Sequence, residues 1–513
     1  MNAIQRQLQQ AIALHRSGQL AGAEAAYRAV LSKSPGLADA KGMLGLVVAG
    51  QGRVDEGMML LEEARRLKPK DPTICFNLGN LLRNAGRLEE ARGCYEAVVS
   101  VRRDHGEAWY GLAVVEEQAR NRSAACEAAN EALRCSPGHA MATIVLARLE
   151  RGAGELDAAE SRLNALLAAS TLQPVERVHA SVELGRVLDR AGQYEDAFEA
   201  FDAGQAAMRL MPEYARSRPE RFREMVGRLP AVVTPERLRS WRAAGAPGER
   251  SPIFLVGFPR SGTTMMEQIL GAHPACVTTD ERPFVQNLVR ALPSVAGLDH
   301  PEALAVLDDG AASRLRALYD EQVTGFVGDV SGVDAIVDKQ PMNLAYVGLL
   351  RRVFPGMKLI VVIRDPRDVC LSCYMQAFTP NQAMANFCDL ATTVELYASL
   401  MSFWLNVRDA LADDLLEVRY EDAIADTPAV AGRLLEFVGL PWTDDVLAFH
   451  EKVGDRYIRT PSSEAVARPV YDTSVGRWRR YRSRLEPHLD RLHPFVEAFG
   501  YASDDAMQER MEP

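Results

Sequence analysis

Arg260 stands inside a glycine-bracketed turn, between a short apolar run and a helix-forming stretch. Ile253 to Val256 are continuously apolar, which suits a buried parallel strand. Gly257 and Gly262 bracket the turn. From Thr263 onward, Met265, Met266, Ile269 and Leu270 supply the apolar face of a helix. Strand, glycine turn and helix together make an anion cradle, because turn N–H groups and the positive helix end converge on one point. The candidate contacts are Pro259, Arg260, Ser261, Gly262, Thr263 and Thr264.

The glycine spacing matches the first part of G-x-x-x-x-G-K-[ST], but Thr263 stands where the lysine belongs. That lysine neutralises the β- and γ-phosphates of a nucleoside triphosphate. Its absence argues against ATP or GTP and for a donor with one phosphate at this point. Arg260 brings charge from another direction. An ordinary strand-to-helix turn is the competing account of the glycines.

Later strands end in polar residues. Cys276 to Glu281 reads as a short strand and its end, Ile336 onward as a strand ending at Lys339, and Lys358 to Arg364 as a clear buried strand. Asp365 and Pro366 then make an N-cap and first-turn pair for a helix carrying Ser372. Leu415 to Glu421 is a further strand, followed by a helix to about Val438. Alternation of this kind predicts a parallel sheet flanked by helices, with chemistry at the carboxyl ends of the strands. Residues 284–335 read as mostly helical.

These elements sit in a chain of 513 residues, long enough for at least two domains. Apolar content of 47% and charged content of 25% are those of a globular protein. The net charge of −10 disfavours a general nucleic-acid or membrane-surface binder. No apolar run reaches the length of a membrane span, and Met1 onward lacks a signal-peptide pattern. Eight cysteines without framework spacing suit a reducing cytoplasm. Cys370 and Cys373 form the one C-x-x-C pair, read as helical neighbours lining a core rather than a redox or zinc site.

Gly18, Gly52, Gly86 and Gly154 recur in a 34-residue register, with Arg120 at the vacant position. Small residues precede them (Ala11, Gly45, Gly79, Ala113, Ala147) and follow them (Ala23, Gly57, Ala91, Ala125, Ala159). Tyr27, Leu61, Tyr95 and Leu163 fill a large position, and Pro35, Pro69 and Pro137 close three repeats. Gly185, Gly192, Ala197 and Phe201 repeat the template after an extra loop at Ser170–Pro174. The pattern resembles the tetratricopeptide repeat. It implies a helical solenoid of about six repeats over residues 1–211, the last acting as a cap. Such arrays hold a protein or peptide; dimerisation or support of the other domain is the alternative. The proline-containing stretch 212–250 reads as an irregular connector with short helical patches such as Glu220–Leu229, followed by a domain over residues 251–500 and a tail from 501 to 513.

With Arg260–Thr264, Arg364 and Ser372 in view, the C-terminal half resembles sulfotransferases that use 3′-phosphoadenosine 5′-phosphosulfate (PAPS), especially the tyrosylprotein sulfotransferase branch. It is also similar to bacterial proteins joining such a domain to these repeats. The resemblance implies that Arg260 to Thr264 hold the 5′-phosphosulfate and that Arg364 with Ser372 holds the 3′-phosphate. It implies that Glu281, at the family's spacing from Arg260, is the catalytic base. Here Thr279 and Asp280 replace the family's glycine and first glutamate. His273 is the rival base, in a context that reads as a helix terminus. Lys339 matches the lysine that contacts the sulfuryl group. Tyr420 matches a tyrosine beside the nucleotide. Ser462, Ser463 and Arg477 match a C-terminal cofactor lid, with Ser462 near the sulfuryl end and Arg477 in place of a lysine.

The implied chemistry is in-line sulfuryl transfer from PAPS to a hydroxyl, leaving 3′-phosphoadenosine 5′-phosphate, with no metal. A protein or peptide tyrosine is the first acceptor to consider, with carbohydrate and small-molecule hydroxyls as alternatives. A kinase or nucleotidase, or a scaffold that only senses the nucleotide, is the competing class. The array leaves room for a homodimer.

Overall fold

The computed structural model describes residues 3–243, 251–328, 332–449 and 474–502. They form two compact units, Met1–Ala191 and Gly192–Pro513.

The first unit is a run of helical hairpins. Ala3–Arg16 pairs with Leu20–Lys33, Ala38–Gly50 with Val54–Leu67, Pro72–Asn84 with Leu88–Val101, Gly106–Gln118 with Arg122–Cys135, and Ala140–Ala153 with Leu156–Leu167. The helix Pro174–Ala191 ends the unit. Pro174 opens this helix rather than belonging to the loop before it, since proline is tolerated at a first helical turn. The periodic small residues let backbones approach. A Cβ on Gly45 would lie 2.8 Å from the Gly57 carbonyl oxygen, and one on Gly111 would lie 2.6 Å from the Tyr95 ring. Tyr95 thus fills the space between one hairpin and the next. Each register glycine has positive φ, and Arg120 adopts the same left-handed turn at φ 61°.

The second unit begins with the sixth repeat's second helix, Tyr194–Arg209. The stretch read as an irregular connector is mostly helical: Pro212–Ser217, Pro219–Val232 and Pro235–Ala243. Pro212, Pro219 and Pro235 mislead because they stand at helix starts, where a missing N–H costs nothing, while Pro230 lies inside the helix Pro219–Val232.

The sheet has five parallel strands: β1 (Ile253–Gly257), β2 (Cys276–Thr278), β3 (Ala335–Lys339), β4 (Lys358–Ile363) and β5 (Leu415–Arg419). Their order is β2-β3-β1-β4-β5. Leu255 is level with Lys339 on one side and Ile360 on the other, and Gly257 is level with Val362. One face packs on Met266, Ile269 and Leu270 of the helix Thr263–Gly271 and on Leu434 and Leu435 of Thr427–Val438. On the other, Phe254 meets Tyr319 and Phe354 in a tilted aromatic cluster. Connections leave β1 and β4 in opposite directions, so a crevice opens between their carboxyl ends.

Helix Tyr194–Arg209 packs on the domain that follows. Phe198 stacks on Tyr374 at 5.4 Å, Asp202 accepts from the Tyr374 hydroxyl, and Gln205 donates to the Gln376 carbonyl at 2.9 Å. Phe198→Ala in the full chain is expected to destabilise the second unit by ~3 kcal/mol. Urea unfolding followed by tryptophan fluorescence checks this; an unchanged midpoint would show that the helix merely rests there.

Candidate active site

The cradle forms where β1 runs into the helix Thr263–Gly271. Arg260 has φ 68° and Gly262 φ 105°. A Cβ on Gly262 would collide with the Tyr420 ring, and one on Gly257 would lie 2.7 Å from the Val362 carbonyl oxygen. The two glycines are therefore required by close approach. Cys373 donates its thiol to the Pro259 carbonyl at 3.2 Å, tying the loop to the helix Pro366–Tyr374. Ser261, Thr263 and Thr264 are buried.

The structure brings Arg260, Arg364, Ser372 and Tyr420 together. Arg260 Nε donates to Ser372 Oγ at 3.1 Å, and Arg364 Nη1 donates to the Arg260 carbonyl at 3.1 Å. Arg364 lies over the Tyr420 ring at 4.8 Å. Two buried polar atoms here, Ser261 Oγ and Arg364 Nε, have no hydrogen-bond partner among the described residues. Such atoms are costly unless something satisfies them, so the residues fit a phosphate-bearing substrate.

The second cluster lies at the ends of β2 and β3. Lys339 Nζ is fully buried, 2.7 Å from Glu281 Oε1 and 2.9 Å from Glu267 Oε2. Burial pushes the lysine's pKa down, but the two carboxylates outweigh it and the net shift is upward. Burial pushes the Glu267 carboxyl up to about 7 against the pull of Lys339. Asp280 and Glu281 both have positive φ, at 49° and 56°. Two successive non-glycine residues thus take a left-handed turn. The turn is held by Glu281 N–H to the Lys339 carbonyl at 3.0 Å and Asp280 N–H to Glu267 Oε1 at 3.2 Å.

Beneath it, Lys339 N–H donates to Thr279 Oγ1 at 3.2 Å and Thr279 donates to Asp338 Oδ1 at 3.3 Å. Tyr319 donates to Asp338 Oδ2 at 3.1 Å.

His273 is tied down at a helix end, its Nδ1 accepting from Ala275 N–H at 3.1 Å and its Nε2 facing the Pro441 carbonyl at 3.1 Å. Arg477 lies over Tyr481 at 5.9 Å. Ser462 and Ser463 lie outside the described residues. Cys370 and Cys373 are buried, and burial pushes both thiols well up.

Two residues escaped sequence reasoning. Glu267 shares a helical stripe with Thr263, Met266 and Leu270, so an acid on an apolar stripe was its signal. Asp368, in the first turn of the helix Pro366–Tyr374, is the other. It lies 4.0 Å from Arg364 and also accepts from Gly476 N–H at 2.7 Å and Trp478 N–H at 2.8 Å. Burial pushes its carboxyl up to about 6.

Residues 252–444 match the sulfotransferase family model, and residues 8–72, 76–140 and 144–209 match the tetratricopeptide repeat. The chain carries a sulfotransferase-family domain behind tetratricopeptide repeats. In class it is a sulfotransferase enzyme. It is 28% identical to an uncharacterized protein of Aquifex aeolicus (strain VF5), over 98% of this chain and 71% of that one. It is 26% identical to protein-tyrosine sulfotransferase 1 of Danio rerio, over 44% of this chain and 65% of the zebrafish protein, just under two thirds of its length. A solved tetratricopeptide repeat protein from Parabacteroides merdae ATCC 43184 aligns with TM-score 0.32 and 18% identity, over 40% of this chain and 93% of that one.

Asp338 has a measurable pH signature. Burial pushes its carboxyl from 3.8 up to about 7. The folded chain keeps this proton where the unfolded chain has released it. The stability it contributes is therefore full below pH 3.8 and lost as pH rises through about 7. Between about pH 4 and about pH 8, wild type is expected to lose roughly 4 kcal/mol more than Asp338→Asn, read from urea melts. Parallel pH profiles would refute the buried, protonated carboxyl.

Proposed function

We propose that the protein transfers the sulfuryl group of PAPS to a hydroxyl, with a protein or peptide tyrosine as acceptor. The observation that carries this reading is the Glu281–Lys339 pair, at 2.7 Å, tied through Glu267 to the cradle helix. A carboxylate and an ammonium thus stand together beside the cradle helix, which supports a base and a cation acting there. The tyrosine acceptor is supported by the protein-tyrosine sulfotransferases among the relatives.

In this reading Arg260 to Thr264 bind the 5′-phosphosulfate, and Arg364 with Ser372 and Tyr420 binds the 3′-phosphate and the nucleotide. A guanidinium and a hydroxyl suit a dianionic phosphate. The acceptor oxygen forms a bond to sulfur as the sulfur–oxygen bond to the 5′-phosphate breaks. The acceptor proton passes to Glu281. The departing electron pair stays on the phosphate oxygen, where Lys339, Arg260 and the helix end stabilise it. Lys339 must leave Glu281 for the sulfuryl group, so donor arrival frees the base it had neutralised. Ser462, Ser463 and Arg477 are assigned to a lid over the donor. The repeat array is assigned to a protein or peptide, with a second copy of the chain as the other occupant. A cytoplasmic setting is proposed as well, supported by eight free cysteines.

Calorimetric titration with 3′-phosphoadenosine 5′-phosphate is expected to show tight binding that AMP does not match. Arg364→Ala should weaken it by ~2 kcal/mol. Equal affinity for AMP, or preference for ATP with magnesium, would overturn the donor assignment.

With labelled PAPS and an acidic tyrosine peptide, Glu281→Gln should lower kcat by about 100-fold or more. Lys339→Met should lower it by roughly 100- to 1,000-fold. Label appearing on a carbohydrate or small phenol, and not on the peptide, would replace the acceptor and leave the donor reading standing.

A further inference from the structure

We propose that Glu267 is a positioning residue for sulfuryl transfer, holding the lysine and the base-bearing turn from one carboxylate. This rests on the roles given above to Glu281 and Lys339. Glu267 touches both groups with different oxygens. Its Oε2 lies 2.9 Å from Lys339 Nζ, and its Oε1 accepts from Asp280 N–H at 3.2 Å. The first contact fixes the cation. The second fixes the turn whose next residue is Glu281.

The turn needs such an anchor. Asp280 and Glu281 both have positive φ, a conformation that costs a non-glycine residue free energy and persists only where surroundings impose it. The anchor itself is rigid. Glu267 is 1% exposed and lies on the helix Thr263–Gly271, which also forms the far side of the phosphate cradle. One helix therefore carries the donor-binding end and the strut for the acceptor-activating end.

The arrangement also explains how Lys339 can change partners without losing its place. It is shared by two carboxylates, one buried and one 31% exposed. Only the exposed one, Glu281, is reached from the cleft and has a part in proton transfer. When the lysine turns to a sulfuryl group it gives up Glu281 and keeps Glu267. Its ammonium stays paired throughout, so the buried charge is never left alone.

Glu267→Gln keeps size and an acceptor for Asp280 N–H but removes the charge that retains Lys339. With labelled PAPS and the acidic tyrosine peptide, kcat is expected to fall by about 100-fold while the KM for PAPS changes by less than about twofold. Affinity for 3′-phosphoadenosine 5′-phosphate should stay at the wild-type value, which shows that the donor site is intact. On a Lys339→Met background the same substitution should add less than about a twofold loss, because the two residues act as a unit. A crystal structure of the full-length Glu267→Ala chain should show Lys339 Nζ displaced and the Asp280–Glu281 turn out of the left-handed region. A Glu267→Gln chain at wild-type kcat, while Glu281→Gln and Lys339→Met are both impaired, would overturn the positioning role alone. An unmoved turn and lysine in the Glu267→Ala crystal would do the same. Undiminished turnover in Glu281→Gln and Lys339→Met would instead remove the reading of function on which the role rests.

Discussion

A fully buried ammonium constrains this domain more than any other single group. Lys339 ends a central strand with no exposed surface, and its charge must be met inside the fold. Two carboxylates meet it, one from the cradle helix and one from the turn after β2. Removing both would leave that charge buried and unpaired, at a cost of several kcal/mol. Three elements distant in sequence are thereby held to one another at hydrogen-bond distance. The sheet register, with Lys339 level with Leu255 of β1, places that point beside the anion loop.

The cradle side has its own organisation, built on arginine. Arg364 holds the cradle backbone through the Arg260 carbonyl, and Arg260 holds Ser372. Asp368, on the same helix as Ser372, grips the backbone at Gly476 and Trp478. Arg367 lies over Trp478 at 4.0 Å and pairs with Asp365 at 2.7 Å. The segment after residue 474 is thus fastened to the helix that begins where β4 ends. Planar guanidinium groups suit this work because they bond at the edge while stacking at the face.

The sheet and the meeting of Arg260, Arg364, Ser372 and Tyr420 could be read from the chain because these residues sit in local patterns. An apolar run into a glycine turn, or a buried strand ending in arginine, announces itself within about ten residues. The repeats were legible for the same reason, since close backbone approach demands small residues in fixed register, as at Gly45 and Gly57. Glu267 was not legible in its role, because a buried acid has meaning only through a lysine 72 residues away in sequence. The backbone contacts of Asp368 were not legible because Gly476 N–H and Trp478 N–H carry no sequence signature. The connector was misread because proline signals a break and a helix start alike, and the choice depends on what precedes it.

Helix Tyr194–Arg209 follows the repeat template yet lends Phe198, Asp202 and Gln205 to the domain beyond it. It serves two masters in one span of sixteen residues. Repeat arrays lengthen and shorten readily, because each unit needs only its neighbours. This chain can follow that course at one end only. A duplication across residue 194 would separate the helix from the domain it braces. The length of the array is thus free to drift, while its final helix is bound to the fate of the transferase.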